Sequence, residues 1–422
     1  MRSFSISSGK ENIQLLIWRK FYKISIIGLL VSWLVGQVSL IPSSGLLRCF
    51  SKGLYIVEKD QLARFAGHNI ITHNLINIDE SKSKNDSENE INLNSIQNIM
   101  KYRNKLGPYL AGLIEGDGTI AVHNENDKLK SRYSPKIIIV FNIKDAKLAY
   151  YLCNLLKIGI VVDKSKKGNY VLWNITKIED AYKLILLVNG YFRTPKYEAL
   201  NRAIMWLNNY IEINKSKVYD LKNPLSLLNK KKIDSILTNI NTLSILDLDN
   251  SDIGSNGWLS GFSDADGNFS INFSPLSKKL KPRIDLNYRL EIKQVYTNNK
   301  NNMDYYYCFS KISELFDTGI YSRTRNLKLK NQKELKNYSS YIISVSSKDK
   351  LLKVKEYFNK YPLLSSKYLD YKDWELLLDN LVKYKLGSHP EYIKLGIELK
   401  KDHNSTRSSL TWNHLLNNYY IM

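Results

Sequence analysis

Two short acidic clusters, Glu115-Gly-Asp117-Gly118 and Asp264-Ala-Asp266-Gly267, hold the carboxylates best placed for chemistry in this 422-residue chain. Each ends an apolar stretch of the same shape, Tyr109-Leu-Ala-Gly-Leu-Ile before the first and Trp258-Leu-Ser-Gly-Phe-Ser before the second. Gly112 and Gly261 lie 149 positions apart, and the small and acidic residues of the two copies are in register, so the motif is an internal repeat. Acids of this kind suit a hard divalent cation, which takes oxygen ligands. One carboxylate from each of two related halves would make a shared, two-fold-related site.

The spacing predicts a helix for each copy. Gly112 and Gly116 stand four apart, as do Gly261 and Ala265, so each pair shares one helix face. A face of small residues lets two helix backbones approach closely. Gly118 and Gly267 fall where a helix commonly ends, at the C′ position. Carboxylates just before that end oppose the helix dipole by roughly 0.3–1 kcal/mol each, so something other than stability selects them. The run Asp264-Ala-Asp266-Gly-Asn268 opens like a calcium loop, but its twelfth position is Pro275 where a bidentate glutamate is required. A transmembrane dimerisation helix is excluded by length and by the acids.

With Leu110-Ala-Gly-Leu-Ile-Glu-Gly-Asp-Gly118 and Leu259-Ser-Gly-Phe-Ser-Asp-Ala-Asp-Gly267, the chain resembles the LAGLIDADG homing endonucleases of the single-chain, two-motif, intron-encoded mitochondrial type. The resemblance covers about Leu106 to the C-terminus. It implies an α+β fold of two pseudo-symmetric αββαββα repeats that form DNA-binding β-saddles. The motif helices would pack at the inter-repeat interface through Gly112, Gly116, Gly261 and Ala265. It also implies that Asp117 and Asp266 are metal ligands helped by the carbonyls of Gly116 and Ala265, with Glu115 and Asp264 as structural acids at the helix ends. Phe192-Arg-Thr-Pro-Lys196 and Pro362-Leu-Leu-Ser-Ser-Lys367 resemble the family's segment bearing a catalytic lysine, and Gln294, opposite Asp145 in the repeat, matches a polar position near the family's site. The implied cofactor is Mg²⁺ or Mn²⁺. The implied activity is site-specific, double-strand hydrolysis of DNA phosphodiesters by a monomer, on an asymmetric target of about 20 base pairs. The alternative is an intron maturase that binds group I intron RNA, with or without cleavage. A DNA-binding regulator on a decayed nuclease scaffold would be expected to have lost one of the acids, and both are present.

Composition agrees without deciding. A net charge of +22 and a pI near 9.5 point to a polyanionic partner, although a ribosomal or membrane-surface protein would share them. Cys49, Cys153 and Cys308 are too few and too scattered for a disulfide framework or a zinc site, and no two histidines stand at metal-ligand spacing. Abundant Lys, Asn, Ile, Leu and Tyr reflect A+T-rich codons and suggest a mitochondrial genome.

Residues 1–78 form a basic, then apolar leader, and 79–105 a polar linker of low complexity. The run 24–41 is a borderline membrane span. A membrane anchor, a presequence and a leader translated from upstream coding sequence all fit it; the last is favoured because no downstream chemistry needs a membrane. Repeat one covers 106–213, a connector 214–256, and repeat two with a C-terminal extension 257–422. Strand alternation follows each motif. Phe269, Ile271 and Phe273 face a core while Asn268, Ser270 and Asn272 face out, and Arg289, Glu291 and Lys293 alternate outward on the next strand. In repeat one Thr119 and His123 alternate outward less vividly, and the strand 136–144 is more apolar, so its outward face is harder to assign; Asn142 and Lys144 are its candidates. With Arg323 and Arg325 from a later hairpin, these are the expected DNA contacts, since a β-ribbon fits the major groove. The offset between repeats grows from 149 to 160 at Gly159/Gly319 and to 171 at Lys196/Lys367, so insertions are predicted around 298–303 and 328–336.

Overall fold

The computed structural model describes residues 96–123, 133–274, 283–297, 302–328, 335–384 and 387–422. Every described element lies in one compact unit that begins at Lys84. The readings made for residues 1–78, and for the linker up to residue 95, lie outside the described residues. No helix among the described residues is long and apolar enough to cross a membrane.

Repeat one runs α1 (Arg103–Asp117), β1 (Gly118–Ala121), β2 (Lys136–Asn142), α2 (Ala146–Leu156), β3 (Ile160–Asp163), β4 (Tyr170–Ile175), α3 (Ile178–Val188) and α4 (Tyr197–Ser216). The connector carries α5 (Pro224–Asn239), whose first turn is capped by the Asn223 side chain accepting from the Leu225 and Ser226 amides. Repeat two repeats the order: α6 (Trp258–Asp266), β5 (Gly267–Phe273), β6 (Ile284–Lys293), α7 (Tyr306–Leu315), β9 (Ile320–Lys328), β10 (Leu335–Val345), α8 (Lys348–Lys360) and α9 (Lys367–Tyr384). A small hairpin, β7 (Val295–Thr297) with β8 (Asn302–Asp304), interrupts it, and α10 (Pro390–Lys400) follows. The α+β class and the αββαββα order are therefore present in both halves, each extended by the helix that follows Lys196 or opens at Lys367.

Both four-stranded sheets are antiparallel with the same order, β1-β2-β4-β3 and β5-β6-β10-β9. Alternation makes each sheet two-faced. Ile137, Ile139, Phe141, Val171 and Trp173 enter the core of repeat one, and Phe269, Ile271, Leu286, Tyr288 and Leu290 enter that of repeat two. Phe269 sits at the centre of an aromatic cluster with Tyr288, Phe358, Tyr371 and Trp374 at ring separations of 5.1–5.5 Å. Both predicted insertions fall outside these cores: one is the β7–β8 hairpin, and the other lengthens the β9–β10 hairpin relative to β3–β4.

The two cores meet at α1 and α6, the most extensive helix–helix contact in the described residues. A Cβ built on Gly112 would lie 2.0 Å from the carbonyl oxygen of Trp258, and one on Gly261 1.8 Å from that of Tyr109. The glycines thus touch the facing backbone itself. Gly116 meets Ala265 in the same way, a Cβ there falling 2.2 Å from the alanine methyl. Gly118 and Gly267 do not act as left-handed C′ caps: their φ values are −91° and −79°. They open the strands instead, and a Cβ would strike the preceding helical turn at Ile114 or Ser263.

Two features tie the connector and the C-terminal extension to the repeats. The connector is stitched to repeat one by side-chain amides: Asn208 pairs with both backbone groups of Leu243, and Asn189 donates to the Ser244 carbonyl and accepts from the Leu246 amide. The C-terminal extension is part of the fold rather than an appendage. Arg407 bridges Asp370 and Asp373 on α9, His403 Nε2 donates to the Phe269 carbonyl, and Tyr420 is buried 4.9 Å from Tyr109.

Because a methyl at Gly261 would have to displace backbone rather than a flexible side chain, Gly261→Ala should cost about 3 kcal/mol or more. Denaturant unfolding monitored by tryptophan fluorescence measures this, and an unchanged midpoint would mean that the two motif helices do not touch.

Candidate active site

Helices α1 and α6 run side by side and end together, so Asp117 and Asp266 line one cleft of about 480 Å³. Its walls come from both sheets, with Thr119 and Val140 from one and Glu291, Lys293 and Tyr338 from the other. A Cβ on Gly116 would lie 3.4 Å from Asp266 Oδ2, so the second repeat's carboxylate reaches the first repeat's helix end. Both carboxylates open into the cleft, where partial desolvation, and then the neighbouring charge of Asp266, raise Asp117 to about 6; partial desolvation also raises Asp266, against the pull of Lys367 and Lys196. Neither carboxylate makes a hydrogen bond to any described residue. Among the described residues their lone pairs are free, and two partly desolvated like charges lining one cleft fit a hard oxygen-seeking cation.

The other motif acids are fully enclosed and bonded. Glu115 accepts from the Arg193 and Thr194 amides, the Thr194 hydroxyl and, across the repeat boundary, Trp258 Nε1 at 2.6 Å. Asp264 accepts from the Leu364 and Ser365 amides, the Ser365 hydroxyl and, across the boundary in the opposite sense, the Tyr109 hydroxyl at 2.6 Å. Burial pushes Glu115 up to about 7 and raises Asp264, while these donors oppose it. The residue just before each motif thus holds the sixth residue of the other.

The same acids set the lysines. Thr194 Oγ1 also accepts from the Lys196 amide and Ser365 Oγ from the Lys367 amide, so each acid-bound hydroxyl starts the turn that carries a lysine. Lys196 Nζ then donates to the carbonyls of Ile114, Gly116 and Gly118, and Lys367 Nζ to those of Ser263 and Ala265. A cation on the last carbonyls of a helix offsets the dipole that the acids oppose. Burial lowers Lys196 to about 8, against the charges of Glu115 and Asp266.

Residues 110–207 and 259–378 match the LAGLIDADG endonuclease family. The chain belongs to that family. It is 44% identical over 343 residues to the intron-encoded DNA endonuclease aI3 of Saccharomyces cerevisiae, covering 79% of this chain and 78% of that one. It is 30% identical over 271 residues to the uncharacterized cox1 intron-2 37.2 kDa protein of Schizosaccharomyces pombe, 64% of each. Among solved structures it is similar to the I-SmaMI LAGLIDADG homing endonuclease bound to cleaved DNA, at 17% identity and a TM-score of 0.49, over 72% of this chain and 99% of that one.

Set against the LAGLIDADG pattern, the structure brings together Asp117, Asp266, Gly116 and Lys196 as expected neighbours, with Lys367 bonded to the second helix end. At four of the expected site positions the structure shows other partners. The carbonyls of Gly116 and Ala265 accept from Lys196 at 3.3 Å and Lys367 at 2.8 Å, so a cation at those oxygens would compete with an ammonium. Gln294 is absent from the cleft lining; it sits between β6 and β7, donates to Ser322 and has its backbone tied to Ser339 and Tyr305. Lys144 is off the sheet, in the turn before α2, and donates to the Asn404 and Ser405 carbonyls. Glu291 is not free to accept from a base, because Arg289, Arg323, Arg325 and Ser340 all donate to it.

Thr119 and Asn142 lie on the open face of the first sheet, with Asn142 also capping the turn at Lys144, and His123 follows β1 against the ring of Tyr133. Asn268, Ser270, Asn272, Arg289, Lys293, Arg323 and Arg325 share one face of the second. Sequence reasoning missed Tyr109, Thr194, Trp258 and Ser365. The signal available was the hydroxyl two residues before each lysine for Thr194 and Ser365, and the aromatic residue just before each motif for Tyr109 and Trp258. Tyr109→Phe removes one donor from buried Asp264 and should lower stability by about 1–3 kcal/mol. Chemical denaturation at pH 7 checks this, and wild-type stability would mean that the bond across the repeats is not formed.

Proposed function

We propose that this chain is a site-specific double-strand DNA endonuclease that hydrolyses phosphodiester bonds with a divalent cation. The observation that carries the reading is the meeting of Asp117 and Asp266, one from each repeat, in a cleft walled by the open faces of two sheets. Cleavage of a phosphodiester needs an aligned water, neutralisation of the phosphate and help for the departing oxygen. Asp117 and Asp266 would hold the cation, Mg²⁺ or Mn²⁺; when bound it supplies a Lewis acid and lowers the pKa of its water. Lys196 lines the same cleft and, with a pKa of about 8, is protonated at neutral pH, where its ammonium stabilises charge developing on the phosphate. Lys367 has the corresponding place at the end of α6 and the corresponding role. One cut per repeat gives a double-strand break.

The sheets supply recognition. Each presents antiparallel strands of major-groove size, and the net charge of +22 supplies the phosphate attraction, so binding should weaken steeply with salt. We place the protein in the mitochondrion, which the A+T-driven composition and the relative named for a cox1 intron both support. Retention of both cleft acids favours cleavage over splicing assistance to a group I intron RNA, the second reading.

Asp117→Asn or Asp266→Asn should lower cleavage by on the order of 10³-fold while leaving duplex affinity within a few-fold of wild type. Undiminished cutting by either variant in a plasmid linearisation assay would refute the assignment. Asp117 must ionise to hold a cation, so at sub-saturating Mg²⁺ cleavage should fall as pH drops through about 6. Excess Mg²⁺ should move that midpoint lower, because metal and proton compete for one carboxylate. A midpoint indifferent to Mg²⁺ would remove Asp117 from the ligand set.

A further inference from the structure

The two sheets share a topology but differ in what they add to a polar groove face, aliphatic side chains in one and guanidinium groups in the other. In repeat one, strand register puts Ile138, Val140, Leu172, Ile160 and Val162 on the open face, alongside Thr119, Lys136, Asn142, Tyr170 and Asn174. Val140 and Ile160 are 40% and 59% exposed, and the core of that repeat is already filled from the other face by Ile139, Phe141 and Trp173. A row of solvent-facing aliphatic side chains on a cation-rich protein serves contact rather than folding. In repeat two the matching face carries Arg289, Arg323 and Arg325 gathered on Glu291, which accepts from Arg289 at 2.7 Å and from Arg325 at 3.0 Å.

Each face matches a different feature of the major groove. The apolar feature a base pair offers there is the thymine 5-methyl group, whereas guanine offers the paired O6 and N7 acceptors that a guanidinium fork bonds together. A carboxylate amid those arginines would repel DNA if it stood alone. Surrounded by three guanidinium groups, it fixes long side chains that would otherwise lose rotamer freedom on binding. Burial would push Glu291 up, but the donors from Arg323, Ser340 and Arg289 hold it below the usual carboxylate range, so the anchor stays charged.

We propose that the two halves of the target are read by different chemistry: the repeat-one sheet selects thymines by their methyl groups, and the repeat-two sheet selects guanines through arginines that Glu291 positions. This rests on the nuclease reading, and the test separates the two. The full chain is challenged with a randomised duplex library without divalent cation, so that retention reports binding alone, and the retained duplexes are sequenced. One half should be enriched in thymine and the other in guanine. Deoxyuridine in place of thymine should weaken binding about threefold per contacted methyl. In the other half, 7-deazaguanine should weaken it about tenfold per contacted guanine.

Glu291→Gln should flatten guanine preference in one half and leave the thymine half and the melting temperature unchanged. Ile160→Thr with Val162→Thr should shrink the deoxyuridine penalty alone. Halves of equal composition, or a deoxyuridine duplex bound as tightly as its parent, would overturn the inference and leave the nuclease standing. A Glu291→Gln protein that melts earlier with unaltered base preference would make Glu291 merely structural and overturn its positioning role. No enriched duplex at all would overturn the nuclease reading itself.

Discussion

The closeness of two helix backbones sets everything else in this molecule. With 2.0 Å or less between the ideal Cβ positions of Gly112 and Gly261 and the opposing carbonyl oxygens, no side chain fits at the crossing. That contact makes one core from two repeats, brings both helix ends to one point and leaves the sheets on either side of a single cleft. An alanine at either position would force the facing backbone to shift, and with it the helix ends that carry the two carboxylates. The chemistry of the cleft is a consequence of missing methyl groups.

Such an arrangement is electrostatically unfavourable unless compensated. Two carboxylates at helix C-termini face the wrong end of each dipole, and partial desolvation raises both. The compensation is local and repeated: a buried acid binds a hydroxyl, the hydroxyl starts a turn, and the turn delivers a lysine to the helix-end carbonyls. Glu115 and Asp264 therefore act at one remove. They hold the lysines that make Asp117 and Asp266 tolerable, and through Trp258 and Tyr109 they tie that support to the opposite repeat.

The sequence was legible where structure is periodic and local. Small residues four apart on one helix face, strict alternation from Asn268 to Phe273, and a repeat offset that is constant through the second strand and then grows in two steps point to the helix pair, the sheets and the place of both insertions. It was illegible where a residue's fate is decided by distant partners. Nothing near Lys144 says that the carbonyls of Asn404 and Ser405 will engage it, and nothing near Gln294 announces Ser322 and Tyr305. Glu291 alternates outward as read, but its capture by arginines 32 and 34 residues away is a property of sheet register. Gly118 differs for another reason: its C′ position predicts a left-handed cap, whereas its φ is −91° and the requirement is space against Ile114.

The pattern of what the repeats share and what they do not has its own logic. The shared parts are the glycine crossing, the acid–hydroxyl–lysine chain and the strand order, all of which serve a reaction that is the same on either strand of a duplex. The parts that differ are the groove faces, aliphatic in one half and guanidinium-rich in the other, where symmetry would serve only a palindrome. A duplicated gene is free to diverge at an exposed face because the core on the far side is packed independently: Ile139 and Trp173 are buried whatever Val140 and Leu172 become, and Leu290 is buried whatever replaces Glu291. The two-residue period of the strand is what separates these requirements. One face of every strand is bound to the fold, and the alternate face is left to follow the sequence it must recognise.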